Sequence, residues 1–151
     1  MYCMKKPVTA VIGVVFALLL GEQNACASMA PPLSQLKVLK VESPGCGFED
    51  IAEGQEQTRC DHSGPSIKVY VLEIGYGRQV FVALDGFELN GTRTPVCAFD
   101  NGNLTECTAG KKTVGHLYVL DLAGKQNGVF TFSNTSINAP GNTLSTQLYI
   151  K

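Results

Sequence analysis

Apolar side chains recur at alternate positions in several short segments, a pattern typical of β-strands that are half-buried in a sheet. The richest stretch is residues 66–86, where two apolar, β-branched runs at residues 67–74 and 79–84 flank a short link at residues 75–78. We interpret it as a β-hairpin. Both runs are apolar on both faces, so we expect this pair to be central, with Val71 and Phe81 in the core.

Further alternation predicts strands along the rest of the chain. Residues 36–41 carry lysines on both faces and are expected to form an edge strand. Residues 45–65 contain few aliphatic side chains and predict a long loop, with a short helix possible at residues 51–57. The other predicted strands are short and follow turn signals, at residues 87–89, 96–99, 104–107, 114–122, 129–133 and 144–150. About eight short strands without a long helix predict an all-β fold, either an antiparallel β-sandwich or a Greek-key barrel.

The first residues resemble a bacterial export signal. Two lysines precede an apolar run at residues 8–20, and a small-residue site ends at Ala27. This order predicts a cleaved signal peptide at residues 1–27. The apolar run is shorter than the roughly 20 residues that span a bilayer, so we expect no stable membrane anchor after cleavage. Acylation of Cys26 is the alternative, but the residues before it do not form a lipobox.

Residues 28–151 have the length of one domain, which we expect to be secreted, either extracellular or periplasmic. Cleavage removes Lys5, Lys6 and Glu22, so the formal net charge goes from −1 to −2. Nucleic acid and anionic membrane surfaces attract proteins with a basic excess. The charge balance therefore predicts neither as a partner.

Four cysteines, Cys46, Cys60, Cys97 and Cys107, follow the predicted cleavage site. An even number in an oxidising compartment predicts disulfides. Three pairings are possible, and we favour the one with the shortest loops, Cys46–Cys60 and Cys97–Cys107. We expect neither zinc nor a cofactor, because His62 is the only histidine near a cysteine.

An enzymatic alternative uses His62, Glu73, Arg93 or Arg78, and His116, which follow the order His, Glu, Arg, His of guanyl-specific fungal-type ribonucleases. A carboxylate and a histidine would transfer the protons while an arginine stabilises the phosphorane. The surrounding sequence does not match those enzymes. We expect His62 in a solvated loop, Glu73 at an exposed strand end and His116 on an outward face. Neither histidine has an evident serine and carboxylate context for serine hydrolysis.

Short, turn-rich strings carry a resemblance to a known family. They are Leu33-Ser34, the turn at residues 73–77 and the tail at residues 132–146. In these strings the chain resembles small secreted bacterial proteins of the YolA-like family, a domain of unknown function. The resemblance implies a secreted, compact β domain and supplies no catalytic residues.

The sequence favours a non-enzymatic binding or interaction module, such as an inhibitor, a toxin component or a surface-interaction factor. Tyr76 and Arg78 lie in a glycine-containing turn, and both residue types are enriched at binding hot spots. We expect them to contact a macromolecule, either a protein or a cell surface. Residues 100–106 offer oxygen ligands but lack the spacing of a calcium loop.

Overall fold

A computed structural model describes residues 30–151, so the predicted signal peptide lies outside the described residues. Ten β-strands and no helix occur in this range, and no helix that could span a membrane occurs there either. The strands are β1 Gln35–Ser43, β2 Gly47–Asp50, β3 Lys68–Ile74, β4 Phe81–Leu84, β5 Phe87–Glu88, β6 Asn90–Ala98, β7 Leu104–Glu106, β8 Thr113–Asp121, β9 Gly128–Thr135 and β10 Thr143–Ile150.

The strands form two antiparallel sheets. The larger has the order β2-β1-β3-β8-β6-β7, and the smaller has the order β10-β9-β4-β5. Buried side chains of both sheets belong to one hydrophobic cluster, which includes Val69, Val71, Leu120, Phe130, Phe132 and Ile150. The predicted all-β antiparallel fold is therefore confirmed, with ten strands rather than about eight.

The predicted hairpin at residues 66–86 is wrong. β3 lies between β1 and β8 in the larger sheet, whereas β4 pairs with β9 and β5 in the smaller one. The link crosses between the sheets because its amide groups bind elsewhere: the N–H of Gly75 donates to the carbonyl of Val114, and that of Arg78 to the carbonyl of Thr135. Alternation specifies which side chains face inward but not which strand is the neighbour. Phe81 is 45% exposed, so it is not a core residue.

β1 is an interior strand over only part of its length, and the prediction of an edge strand was wrong for that part alone. Residues 40–42 pair with β2 on one side and with β3 on the other, and Ser43 pairs with β2 alone. Residues 35–38 pair with β3 alone. The lysines that suggested an edge lie on the outer face of the sheet, where the amine of Lys40 packs over the rings of Phe48 and Tyr70.

Residues 51–58 are not helical and instead connect the two sheets along one border. The N–H of Ile51 donates to the carbonyl of Leu39 in β1 at 2.9 Å. Farther along, Glu56 and Thr58 exchange backbone hydrogen bonds with Tyr149 of β10, also at 2.9 Å. These residues, which we call the connecting strip, therefore run along the edge of β10 that does not pair with β9.

Two disulfides join Cys46 to Cys60 and Cys97 to Cys107, the pairing with the shortest loops. The first closes the long segment that contains β2 and the connecting strip. The second clamps the hairpin of β6 and β7. Loops of this size contribute about 3 kcal/mol each in the chain-entropy model.

Candidate functional sites

A glutamate and a histidine are buried together on the inner face of the larger sheet. Glu73 of β3 lies opposite His116 of β8, and their exposed fractions are 0% and 6%. The expectation that both side chains face solvent was wrong. Glu73 has the same parity along the strand as the buried Val69 and Val71, so strand alternation already contained the signal.

The Glu73 carboxylate is compensated by three donors. One oxygen lies 3.1 Å from His116 Nδ1, and the other lies 3.4 Å from the Tyr118 hydroxyl. Asn134 of β9 donates its side-chain N–H to that second oxygen, which connects the two sheets. Because a buried carboxylate is costly without such partners, these contacts explain how the core holds it.

Arg93 completes the cluster and determines the tautomer of His116. Its Nη2 lies 2.8 Å from His116 Nε2. Since a guanidinium can only donate, Nε2 must carry a lone pair. His116 is therefore neutral and donates Nδ1–H to Glu73. Burial and the neighbouring Glu73 charge raise the pKa of Tyr118 to about 12.

The four residues of the ribonuclease hypothesis do not converge. Glu73, Arg93 and His116 are in contact, but His62 lies near Ser43, next to the end of β3 where Lys68 pairs with β1. Glu73 is five residues farther along that strand, a separation of about 17 Å. The two histidines therefore belong to separate sites.

His62 is 2% exposed, so the expectation of a solvated loop was wrong. Its Nδ1 lies 2.8 Å from Ser43 Oγ, and its Nε2 lies 3.4 Å from a carboxylate oxygen of Glu49. This serine–histidine–glutamate arrangement was missed from the sequence, because the serine precedes the predicted loop and the three residues are brought together by the fold. Ser43 is only 3% exposed, so a substrate cannot reach its hydroxyl.

The contacts around Glu49 hold the loop backbone in place. Burial raises the pKa of Glu49, but hydrogen bonds from the backbone N–H groups of Arg59 and Cys60 outweigh it, and the pKa lies below its ordinary value of 4.5. The backbone N–H of His62 donates to Lys151, which fixes the last residue. Cys46, Glu49 and His62 have metal-ligand atoms within 4.8 Å of one another, but Cys46 is in a disulfide and offers no thiolate.

Tyr76 and Arg78, the predicted binding residues, differ in accessibility. Tyr76 is half-buried: its hydroxyl donates to the carbonyl of Thr113, and its ring lies 5.5 Å from that of His116. Arg78 is exposed and follows the crossing into the smaller sheet. Their role in binding stays a prediction.

The outer face of β4, β9 and β10, which we call the uncharged face, is a further candidate. No Asp, Glu, Lys, Arg or His occurs in residues 126–150 or in β4, although the chain has 12 basic and 13 acidic residues. By strand parity the face presents exposed and half-buried side chains, namely Phe81, Val129, Thr131, Ser133, Thr135, Thr143, Ser145, Gln147 and Tyr149. The long uncharged stretch was visible in the sequence, but only the pairing shows that it forms one surface.

Comparison with known proteins gives a family but no activity. No curated protein matches the sequence. One family model, described as a domain of unknown function, matches residues 24–150 and does not single out YolA-like proteins. Because this match covers almost the whole chain, the protein belongs to the DUF4879 family, a domain of unknown function.

Proposed function

We propose that the protein is a secreted, non-enzymatic module that binds another macromolecule through the uncharged face. The observation that carries the proposal is the complete absence of charged side chains from three adjacent strands. Solubility favours a surface on which about one-quarter to one-third of the residues are charged. A charge-free face is instead typical of the centre of an interface, where charged residues are depleted.

The exposed apolar groups on this face lie in two separate places, with polar side chains between them. Phe81 is 45% exposed at one of them, and Tyr149 (43%) lies opposite Val129 (41%) at the other. Phe81 and Tyr149 are two strands and four residues apart, which corresponds to roughly 16 Å in a regular sheet. Hydroxyl and amide groups occupy the space between them. Two aromatic anchors with hydrogen-bonding groups between them suit a broad partner surface rather than a small ligand.

Arg78 extends this surface at one end. Its backbone N–H donates to Thr135, so the exposed arginine borders the row that Thr135 and Thr143 form through a 2.8 Å hydroxyl contact. Tyr76 then supports the turn, because its hydroxyl is already bonded within the protein. Inhibitors, toxin components and surface-interaction factors all work through such contacts, and the narrower resemblance to YolA-like proteins implies only a secreted, compact β domain.

The test compares two double variants, each of which truncates two exposed aromatic side chains to alanine. The protein is immobilised, and the partner that it captures from extracts of neighbouring bacterial cells is quantified. Phe81→Ala with Tyr149→Ala should reduce capture at least tenfold. Phe87→Ala with Phe99→Ala removes two phenylalanines that are also exposed, at 62% and 48%, but lie off the face, and it should leave capture unchanged. Equal capture by both double variants would contradict the proposal.

A ribonuclease-like hydrolase is the competing hypothesis, and the contact of Glu73, Arg93 and His116 favours it. In this arrangement Glu73 cannot act as the base, because it is fully buried and its oxygens are occupied. His116 Nε2 would accept the proton once Arg93 moved onto a phosphate. Single-stranded RNA incubated with the protein should stay intact. Cleavage that His116→Ala and Arg93→Ala each abolish would overturn the non-enzymatic proposal.

A further inference from the structure

A groove of about 400 Å³ lies along the seam between the two sheets. Three runs of five consecutive residues line it: 34–38 at the start of β1, 144–148 in β10, and 51–55 in the connecting strip. Consecutive residues on a wall mean that the backbone itself, and not only alternate side chains, borders the groove. The seam adjoins the uncharged face, because Ser145 and Gln147 of β10 belong to both, but the groove is bordered by strand edges rather than by the outward side chains.

Both strands that border the groove are paired on one side only. Residues 35–38 of β1 pair with β3, and residues 144–148 of β10 pair with β9. Among the described residues, no backbone or side-chain hydrogen bond reaches the other side of either stretch. Two unpaired strand edges therefore face one open space, and such edges are templates for a further strand.

The alternating direction of the backbone N–H and carbonyl groups along β10 identifies those that face the groove. Tyr149 directs its N–H and carbonyl away from β9, toward Glu56 and Thr58. Backbone groups alternate in direction along a strand, so Gln147 and Ser145 direct theirs to the same side. Beyond the connecting strip these groups have no protein partner in the described chain.

The protein already fills half of the seam with its own backbone. The connecting strip bonds Leu39 of β1 through Ile51 and bonds Tyr149 of β10 through Glu56 and Thr58. In the open half, the inward-facing side chains Leu36 and Leu144 are only half-buried. An added strand would cover these side chains in the same way that the strip covers the rest.

We propose that the open half of the seam binds an extended peptide segment of a partner protein by strand addition. The segment is about five residues long and pairs with the edge of β10. Its alternate residues are apolar and face Leu36 and Leu144, while the residues between them are polar and face solvent. Backbone hydrogen bonds give the affinity, and the inward positions give the sequence preference. This proposal does not depend on the uncharged face.

The probe is a phage-displayed library of random seven-residue peptides, selected against the purified full chain. We expect the enriched sequences to alternate apolar and polar residues. With a selected peptide, hydrogen exchange at the amides of Ser145 and Gln147 should slow at least tenfold. The amides of Thr146 and Leu148 already pair with β9 and should change little. Enrichment without alternation, or protection confined to other strands, would overturn the proposal.

Two variants at one position separate backbone pairing from side-chain contact. Ser145→Pro removes the groove-facing N–H at an edge position, where proline is tolerated, and Ser145→Ala retains it. Peptide affinity should fall at least tenfold in Ser145→Pro and stay within twofold in Ser145→Ala. Equal affinities, or concentration-dependent dimers that protect the same amides without peptide, would exclude a peptide as the occupant. The exchange measurement uses the unaltered protein, so it decides the question even if Ser145→Pro does not fold.

Discussion

Replacing Glu73 by glutamine should destabilise the fold strongly, although it changes only one oxygen to an NH₂ group. Asn134 cannot turn its amide to suit the new donor, because its oxygen already accepts the N–H groups of Gln79 and Thr135 at 3.0 and 2.8 Å. The opposite orientation of the new glutamine places its NH₂ against His116. His116 would then have to move its proton to Nε2, directly against Arg93. Both orientations leave a buried donor without an acceptor.

The cost follows from the bonds that are lost. A hydrogen bond to a charged group contributes about 1.5 to 3 kcal/mol, and a buried unsatisfied donor costs about 1 to 3 kcal/mol. Glutamine regains part of this free energy, because it avoids the burial of a charge. We therefore expect Glu73→Gln to lower the free energy of unfolding by about 3 kcal/mol. The m-value should be unchanged.

Urea unfolding followed by far-ultraviolet circular dichroism measures this difference. With m between about 1 and 3 kcal/mol/M, a loss of about 3 kcal/mol lowers the midpoint by about 1 to 3 M. Glu88→Gln, at an exposed glutamate of β5, is the matched control and should shift the midpoint very little. If both variants shift it equally, the Glu73 carboxylate is solvated and the account of the buried cluster is refuted.

Three further predictions concern single positions. Ionised Glu49 has a folded pKa below 4.5, so its stabilisation is full above that pH and is lost as the pH falls through the folded value. Glu49→Gln should therefore be less stable than the unaltered protein at pH 7 but approach it at pH 3 in urea unfolding. Tyr118 and Tyr70 have a pKa raised to about 12, and Tyr118→Phe should remove one of these two late phenolate transitions from the ultraviolet titration. Gly115→Ala would place a Cβ in steric clash with the backbone oxygen of Glu73, so we expect little folded protein on expression, with a normal yield from Thr143→Ala as the control.

Strand alternation predicted the class of the fold well because it depends on local geometry. The boundaries of β8 and β10 lie within one residue of the segments predicted from their apolar positions. Alternation could not show which strands pair with each other. Residues 75–78 suit a hairpin turn as well as a crossing between sheets, and only the distant partners of Gly75 and Arg78 select the crossing.

The candidate sites were predicted less completely, for a related reason. Glu73 and His116 were singled out by residue type. Their burial depends on a hydrogen bond that Asn134, in the other sheet, donates to the Glu73 carboxylate. Ser43 and His62 are brought into contact by a loop closed through a disulfide. A polar residue at an inward position is the signal that sequence reasoning can use, since it requires a partner in the core.

The connecting strip also affects how this protein avoids aggregation. β10 is a border strand of eight residues without a charge, and its sequence is rich in the hydroxyl and apolar residues that stack into fibrils. Native sheets commonly protect such borders with charges, and here the chain's own backbone covers the Tyr149 end of the border instead. Cys60 fastens that length only two residues beyond Thr58, through its bridge to Cys46. Oxidising conditions therefore keep the connecting strip on the edge of β10, as well as stabilising the fold. With reduced cysteines the strip is fixed less firmly, and we expect the chain to form fibrils more readily.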